Sequence, residues 1–428
     1  IESRQGVGCL VASASTEKEP VGESGEGVQM GRVNWVNEVA DKYLDMEKTF
    51  DDLFQRFTDE SHFSLGSGIA SREVYSSERV AHDIAGLLTG SGPSQYFFSP
   101  YKGDRFLRQK LASFLGTKGV RASSGEIQIL SETNQALDFI VTLLVKPGDS
   151  VVMEEPVHPD MYRVMELAGA RILTVPVDED GMNCDVLESL LTQTRPRLIF
   201  VNSSFHDPTG CILSLERRKK LVELSSRYRI PIVEEDAASE LVYDGDKLPP
   251  IKAFDTTGNV IYIYSFSLTF IPGLSLAFVT GNRDFVRALS YLVSVRLMAS
   301  DWMTQKLLGM YLDDGSYYSS LATFREIYSG NRDLVCQKLD ALAHLGVRYE
   351  RPRGGVYVWC RLPDGVDSKH FINRAYNMGV TLIPGHVFYP YKNGGRDYIR
   401  INYSYESRER LACGMDVLHK ALEEELEE

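Results

Sequence analysis

The chain has 428 residues, and its 46 lysines and arginines against 59 aspartates and glutamates give a formal net charge of −13. With 43% hydrophobic and 25% charged residues, the composition is typical of a globular protein with two or three structural units. The acidic balance disfavours general electrostatic binding of nucleic acid, and no run approaches the ~20 apolar residues of a membrane span. The six cysteines stand singly, so we predict no metal site and a reducing, cytoplasmic environment.

The first 60 residues are predicted to be an amino-terminal extension. Residues 1–30 are rich in Gly, Ser and Glu and have little periodic apolar signal, so we expect them to be mobile or loosely docked. They also lack the basic start and apolar run of a signal peptide. From Val33 to Phe57 the apolar residues recur at helical spacing, which predicts a helix.

A regular alternation follows, and it predicts a large α/β domain over residues 61–300. Short, almost continuous apolar runs are separated by amphipathic stretches such as residues 215–228. The runs cover residues 126–131, 150–156, 171–177, 197–204, 231–237, 260–267 and 274–281. Strands that are buried on both faces and separated by helices indicate a doubly wound, mostly parallel sheet. Its ligand is expected beyond the carboxyl ends of the strands.

The pattern changes in the last third of the chain, which predicts a smaller α+β domain over residues 301–428. Helical spacing continues to about Tyr311, and apolar runs then occur at 354–362, 379–385 and 397–405, with a helix near 370–378. Mixed short strands and helices of this kind are typical of an α+β unit. No internal repeat is present.

Several segments at predicted strand ends occur in a distinctive order. They are SETNQALD (131–138), EEPVHPD (154–160), FHDPTG (205–210), VEEDAASEL (233–241), SFSLTFIPGLSLAF (265–278), RPRGGVYVWCRLPDG (351–365) and DYIRINYSY (397–405). In this order the chain resembles the class I/II aminotransferases, which are fold type I pyridoxal-phosphate enzymes. The similarity is strongest to the branch that contains 2-aminoadipate aminotransferases and the effector domains of MocR-type regulators, and it covers about residues 60–425.

The resemblance implies a set of cofactor contacts that this sequence has changed. The family's lysine, which forms the Schiff base with pyridoxal phosphate, corresponds to Leu268, and its phosphate-binding arginine corresponds to Ser275. The aspartate that pairs with the pyridine nitrogen corresponds to Glu235, and the asparagine beside the ring oxygen corresponds to Asp207. The neighbouring tyrosine falls on Ala237 or Ala238.

Other positions of the motif are retained or altered in a milder way. The start of the phosphate helix reads Glu132-Thr133-Asn134, and Glu132 would repel a phosphate that it faced. Ser265 and Ser267 remain from the phosphate block. We interpret Thr133, Asn134, Ser265 and Ser267 as a vestigial cofactor site, and we predict that the protein uses no cofactor.

The remaining candidates predict an enzyme with an altered pocket. Arg400 matches the arginine that grips a substrate carboxylate, and Glu235, Asp207 and His158 are candidate acid/base groups. Phe98 and Tyr101 are candidate substrate contacts. The hypothesis is elimination, cyclisation or condensation of an amino-acid- or peptide-derived carboxylate in a biosynthetic pathway, catalysed by a homodimer.

Less specific interpretations remain open. A lone arginine in a strand is usually an ion-pair residue, a histidine in a loop is usually structural, and paired carboxylates often form salt bridges. A non-catalytic ligand-binding or scaffold protein is the first alternative. A transaminase or lyase that holds pyridoxal phosphate or its amine form non-covalently is the second.

Overall fold

The computed structural model describes residues 2–4, 8–10, 56, 61–71, 73–90, 100–271, 273–297 and 301–427. The chain divides into two compact units, Ile1–Lys48 and Thr49–Glu428. In the first unit, strands β1 (Glu2–Arg4) and β2 (Gly8–Leu10) pair antiparallel. The helix predicted from residue 33 to 57 lies outside the described residues, apart from residue 56, and Phe98 lies outside them too.

Within Thr49–Glu428, eight strands among the described residues form one large sheet in the spatial order β4-β11-β10-β9-β8-β5-β6-β7. They are β4 (Ile127–Leu130), β5 (Ser150–Glu155), β6 (Arg171–Asp178), β7 (Gly181–Met182), β8 (Ile199–Asn202), β9 (Ile232–Asp236), β10 (Val260–Ser265) and β11 (Ala277–Thr280). Five central strands, β10-β9-β8-β5-β6, are parallel to one another, whereas β11 is antiparallel to both of its neighbours and β7 is antiparallel to β6. The predicted doubly wound, mostly parallel sheet is confirmed.

Helices connect and cover these strands. In the described chain they are α1 (Ser77–Gly90), α2 (Arg105–Thr117), α3 (Thr133–Leu144), α4 (Pro159–Leu167), α5 (Cys184–Gln193), α6 (Leu215–Tyr228), α7 (Arg283–Arg296), α8 (Trp302–Asp314), α9 (Ser316–Asp340), α10 (Ser368–Asn377) and α11 (Arg408–Leu426). Helix α6 shows why these segments form: the Ser214 side chain caps the helix by accepting from the Arg217 N–H, and Leu221 and Leu224 are buried on one face.

A second, antiparallel sheet lies nearer the carboxyl end of the chain. Its order is β12-β13-β16-β15, formed by β12 (Arg348–Tyr349), β13 (Tyr357–Arg361), β15 (Ile383–Pro384) and β16 (Tyr398–Asn402). A short parallel pair joins β3 (Phe63–Ser64) to β14 (Val380–Thr381). This pair brings residues 63–71 beside β16, where the Asn402 N–H donates to the Leu65 carbonyl.

The apolar core has three clusters of buried side chains. One cluster combines aromatic residues of β10 and the loop that follows it with helices α8, α9 and α11, and it contains Leu268. The other two cover the two faces of the parallel strands. In the part of the chain that is described, no helix is long and apolar enough to cross a membrane.

Candidate active site

A cavity of about 530 Å³ opens at the carboxyl ends of β4 and β10, between the starts of α3 and α4 and the strand β16. The lining residues come from seven separate segments of the chain. They are Gly66, Ser67, Gly68, Ile69, Glu132, Thr133, Asn134, His158, Pro159, Asp160, Arg163, Ser265, Ser267, Ser275, Tyr357, Ile383, Val387 and Arg400. The site lies where ligands bind in open α/β sheets, because the loops at this edge project away from the strands.

One wall of the cavity combines a helix start with three serines. Helix α3 begins at Thr133, and Glu132 precedes it without a side-chain hydrogen bond that caps the helix. The Ser265 hydroxyl contacts the Ser267 hydroxyl at 3.1 Å and accepts from the Ser267 N–H, and Ser275 completes the wall. Helix starts and hydroxyl groups donate hydrogen bonds to anions, whereas the Glu132 carboxylate repels them.

Helix α4 supplies the second wall. His158 precedes its first turn, and the imidazole Nδ1 accepts from the Asp160 N–H. The neutral ring therefore carries its proton on Nε2. Asp160 Oδ2 accepts from Asn134 Nδ2 at 3.2 Å, and Asp160 Oδ1 lies 3.7 Å from the Arg163 guanidinium. These contacts place Arg163 close to the start of α3.

A buried ion pair forms the base of the third wall. Both carboxylate oxygens of Asp207 lie 2.7 Å from Arg400 Nη1, and Arg400 Nη2 donates to the Gly66 carbonyl at 2.9 Å. The guanidinium also lies over the Tyr357 ring at 4.3 Å and over the Phe388 ring at 5.2 Å. Burial lowers the pKa of Arg400, but Asp207 outweighs burial and the pKa is raised.

Two further buried carboxyl groups are linked electrostatically to this pair: Asp207 acts on Glu235, and Glu235 acts on Glu154. Glu235 on β9 accepts from the side-chain amide of Asn202, while the Asn202 backbone N–H donates to Glu154 at 2.6 Å. Burial is the main cause that raises the pKa of both Glu235 and Glu154 to about 8, and neighbouring carboxylates add to it. The adjacent His206 has its pKa lowered by burial to about 4. At neutral pH, these three groups are mainly uncharged.

Leu268 occupies an apolar environment in the same loop as Ser267 and Ser275. Its side chain is 6% exposed and belongs to the same cluster as Phe266 and Phe270. No lysine is among the described residues that line the cavity. In the described part of the site, no amine is therefore available to form an imine with a bound aldehyde.

The structure brings six of the predicted site residues to the cavity: Thr133, Asn134, His158, Ser265, Ser267 and Arg400. Glu235 and Asp207 are not lining residues, although Asp207 contacts Arg400 and acts electrostatically on Glu235. Tyr101 is 48% exposed and does not line the cavity. Among the described residues, no group of three or more His, Cys, Asp or Glu side chains is arranged to hold a metal ion.

The lining residues that were not predicted from the sequence include Tyr357, Asp160 and Arg163. Tyr357 stands in the predicted strand 354–362, but apolar strand patterning does not distinguish a cavity-facing tyrosine from a core tyrosine. Asp160 and Arg163 are three residues apart, and this spacing, read with His158, was the available signal that one helix face carries polar groups.

The sequence comparisons agree with this architecture. The sequence profile described as "Aminotransferase class I and II" matches residues 63–416. A 2-aminoadipate transaminase of Thermus thermophilus is 30% identical over 362 residues, which cover 84% of this chain and 89% of that protein.

Solved structures place the chain in the same class. A Pyrococcus horikoshii kynurenine aminotransferase, solved with PMP, has a TM-score of 0.86 and 27% identity and covers 92% of this chain and 98% of its own. The α-aminoadipate aminotransferase of Thermus thermophilus, solved with N-(5′-phosphopyridoxyl)-L-leucine, has a TM-score of 0.84 and 28% identity, with coverage of 92% and 99%. The fold is therefore fold type I, and the chain belongs to the class I and II aminotransferase family.

This membership corrects the prediction that the protein uses no cofactor. The two solved relatives hold PMP and a phosphopyridoxyl amino acid, so a cofactor-free protein is the wrong expectation for this family. The prediction relied on adding the losses that the resemblance implies at Leu268 and Ser275, and it kept non-covalent binding of the cofactor or its amine form only as the second alternative.

The donors that line the cavity fit such a ligand for non-covalent binding. The start of α3 and the hydroxyls of Ser265, Ser267 and Ser275 are suited to a phosphate. Arg163 adds a positive charge to the lining, and Glu132 opposes it. The His158 ring lies in the wall, where it can pack against a flat ring.

Proposed function

We propose that this chain binds pyridoxal phosphate or its amine form by non-covalent contacts alone and acts on an amino-acid-derived small molecule. The observation that carries the proposal is Leu268, which lies in an apolar cluster at the position where the resemblance requires the imine-forming lysine. The cavity retains hydroxyl donors and a helix start for a phosphate. A protein that binds the cofactor but forms no covalent link with it differs in this respect from a conventional transaminase.

Thr133, Asn134, Ser265, Ser267 and Ser275 would hold the phosphate end of the ligand. When bound, a pyridoxal-type ring supplies an electron sink for carbanion chemistry. Glu235 stands at the position that the resemblance assigns to the partner of the ring nitrogen. Because burial raises its pKa to about 8, the protonated Glu235 would donate a hydrogen bond there, where an ionised carboxylate would accept one.

His158 is the residue best placed to move a proton within the cavity. Its side chain lines the cavity, its Nδ1 is fixed by the Asp160 N–H, and its Nε2 lies 3.9 Å from Asp207 Oδ2. Asp207 positions Arg400 and faces Nε2, and Glu235 holds a proton. These roles support elimination, cyclisation or condensation in a biosynthetic pathway, with a non-catalytic ligand-binding protein as the alternative.

The test compares the purified protein with Leu268→Lys. We expect pyridoxamine phosphate to bind the unaltered chain with a saturable change in fluorescence. Borohydride treatment with pyridoxal phosphate should modify no residue of the cavity, as judged by peptide mass spectrometry, whereas Leu268→Lys should be labelled at residue 268. Saturable binding to neither compound would overturn the proposal.

A matched control and a turnover assay complete the experiment. Leu274→Lys adds a lysine to the same loop at a position that the resemblance does not assign to the imine, so it should gain no cavity-specific label. His158→Gln should bind pyridoxamine phosphate within about threefold of the unaltered chain, because it keeps a planar polar group, while it lowers turnover by ~10²-fold or more. Binding without turnover of any amino-acid derivative would favour the non-catalytic alternative.

The proposal includes a cytoplasmic homodimer. Helix α7 supports the dimer because Tyr291 and Val295, one turn apart, are 73% and 65% exposed, and such neighbouring apolar side chains are typical of protein interfaces. The described cysteines include five free thiols, which suits a reducing compartment. Light scattering should show a dimer that Tyr291→Glu dissociates, whereas Leu215→Glu, on a different helix, should remain dimeric.

A further inference from the structure

The guanidinium of Arg400 has two N–H donors left for a ligand. Of its five donors, those of Nη1 face both oxygens of Asp207, and one of Nη2 is taken by the Gly66 carbonyl. Nε is buried and has no hydrogen-bond partner within the described structure. The side chain is 2% exposed, yet it lines the cavity. The second N–H of Nη2 and the buried Nε–H are therefore the donors of Arg400 that have no described partner.

The charge of this guanidinium is already balanced. Asp207 faces Nη1 with both oxygens, and the Tyr357 hydroxyl also contacts the Asp207 carboxylate. A second carboxylate at Arg400 would be attracted by the guanidinium and repelled by Asp207 over a similar distance.

The rest of the cavity does not supply a surplus of positive charge. The carboxylates of Glu132 and Asp160 line it together with Arg163, which lies 3.7 Å from Asp160. Apolar surface comes from Ile69, Ile383 and Val387 among others. A free amino acid would therefore bring an anionic carboxylate to a subsite whose single buried guanidinium is already neutralised.

We propose that Asp207 is a specificity residue that takes the place of a substrate carboxylate, so that the subsite beside Arg400 selects an uncharged carbonyl. The ligand class is an amino-acid amide or ester, including a peptide-like one, and not a free amino acid. The two remaining donors of Arg400 hydrogen-bond the neutral carbonyl oxygen, and no charge has to be balanced. This inference rests on the proposed binding of an amino-acid-derived ligand in the same cavity.

The test uses two probes that differ in one group: N-(5′-phosphopyridoxyl)-L-leucine and N-(5′-phosphopyridoxyl)-L-leucinamide. Calorimetric titration of the unaltered protein should show at least tenfold tighter binding of the amide. In Asp207→Asn the neutral side chain keeps its size and releases the charge of Arg400, so the preference should invert towards the acid. Equal binding of both probes, or tighter binding of the acid by the unaltered protein, overturns the inference.

A control variant and a second probe pair separate this inference from the proposed function. Asp160→Asn removes a cavity carboxylate that forms no hydrogen bond with Arg400 in the described structure and whose charge acts on Arg400 more weakly than that of Asp207, so it should leave the preference for the amide in place. If neither phosphopyridoxyl probe binds, the proposed function fails. Free leucinamide and free leucine, observed by ligand NMR, then decide the inference: preference for the amide supports it, and preference for leucine, or no binding of either, overturns it. The comparison of acid with amide in the unaltered protein needs no variant to fold.

Discussion

Glu235 and Asp236 are neighbours on strand β9 and both are buried, yet their electrostatic surroundings differ. The Nζ of Lys118 lies 3.7 Å from Asp236 Oδ2, and the carboxylate accepts from the Tyr262 hydroxyl and the Ser239 N–H. Burial acts to raise the pKa of Asp236, but Lys118 and these hydrogen bonds outweigh it, and the pKa is lowered. Asp236 is a compensated, structural charge.

Glu235 has no such compensation. No lysine or arginine of the described chain forms an ion pair with it, and its side chain accepts a hydrogen bond from the amide of Asn202. Burial, followed by the charges of Asp236, Asp207 and Glu234, raises its pKa to about 8. The protein keeps this carboxyl protonated at neutral pH, because no positive charge is present to stabilise the ionised form.

The difference follows from the alternation of side chains along a strand. Residues 234 and 236 face one side of the sheet, and residue 235 faces the other. On the first side, Glu234 is held by the Ser203 hydroxyl and by the N–H groups of Ile251 and Lys252. Burial still raises the pKa of Glu234 although Arg218 and these hydrogen bonds act to lower it. Every described influence on Glu235, on the side towards the cavity, raises its pKa, and such groups concentrate at functional sites.

The largest expected effect comes from removing the buried cation of the compensated side. Lys118 is fully buried and contacts Glu240 at 2.7 Å as well as Asp236, so Lys118→Met leaves Asp236 without its cation and leaves Glu240 only with the partly exposed Lys247 and Arg325. We expect a loss of ~3–5 kcal/mol in the free energy of unfolding, measured by urea titration. Arg287→Met, whose ion pair with Asp284 is about four-fifths exposed, is the control and should change it by less than ~0.5 kcal/mol.

The second prediction is that the free energy of unfolding depends on pH through Glu235. The pKa of Glu235 is raised from 4.5 to about 8, so its contribution to stability is complete below pH 4.5 and is lost as the pH rises to about 8. Relative to Glu235→Gln, the unaltered protein should lose ~4–5 kcal/mol across this window. Parallel stability–pH curves for the two proteins would show that Glu235 is ionised in the folded state.

Asp236→Asn extends the same measurement to the compensated side. Because the pKa of Asp236 is lowered, its contribution is present above the ordinary carboxyl pKa and is lost as the pH falls through the lowered value. The variant should therefore have a weaker loss of stability in acid than the unaltered protein. The same direction of change for both variants would contradict the comparison.

The third prediction concerns the coupling between Arg400 and Asp207 in the cavity wall. Arg400→Met and Asp207→Leu each leave one buried charge alone, and the double variant removes both. A double-mutant cycle of unfolding free energies should give a coupling of about 2 kcal/mol. A coupling near zero would mean that the pair is solvated in the folded protein and does not neutralise the cavity.

The smallest effect is expected at the exposed edge of the ion-pair cluster that Lys118 forms with Asp236 and Glu240. Lys247 shares the Glu240 carboxylate with Lys118, but its side chain is 33% exposed. Water screens this ion pair, so Lys247→Met should cost about 0.5 kcal/mol in the free energy of unfolding. A loss as large as that of Lys118→Met would show that both lysines are needed to ionise Glu240.

The sequence was sufficient for the strands and for most helices because their signals are local. The runs at 150–156 and 260–267 became β5 and β10 within two residues at either end, since continuous apolar runs bounded by polar loops indicate buried strands. The run at 197–204 became a shorter strand, β8, that ends at Asn202. The last two residues of the predicted run lie beyond this strand. The Ser203 hydroxyl donates a hydrogen bond to Glu234, and the Ser204 hydroxyl accepts one from Arg218.

The order of motifs was also sufficient to identify the family, and the sequence shows directly that residue 268 is a leucine. The partners of the charged residues were not readable. Asp207 and Arg400 are 193 residues apart, and Lys118 stands in a Thr-Lys-Gly turn where a lysine is usually exposed. The sequence therefore determined which charged groups the protein has, whereas the tertiary structure decided which of them are neutralised. Neutralisation depends on distances of a few ångströms between segments that local patterning does not relate, and on the burial that makes each unpaired charge costly.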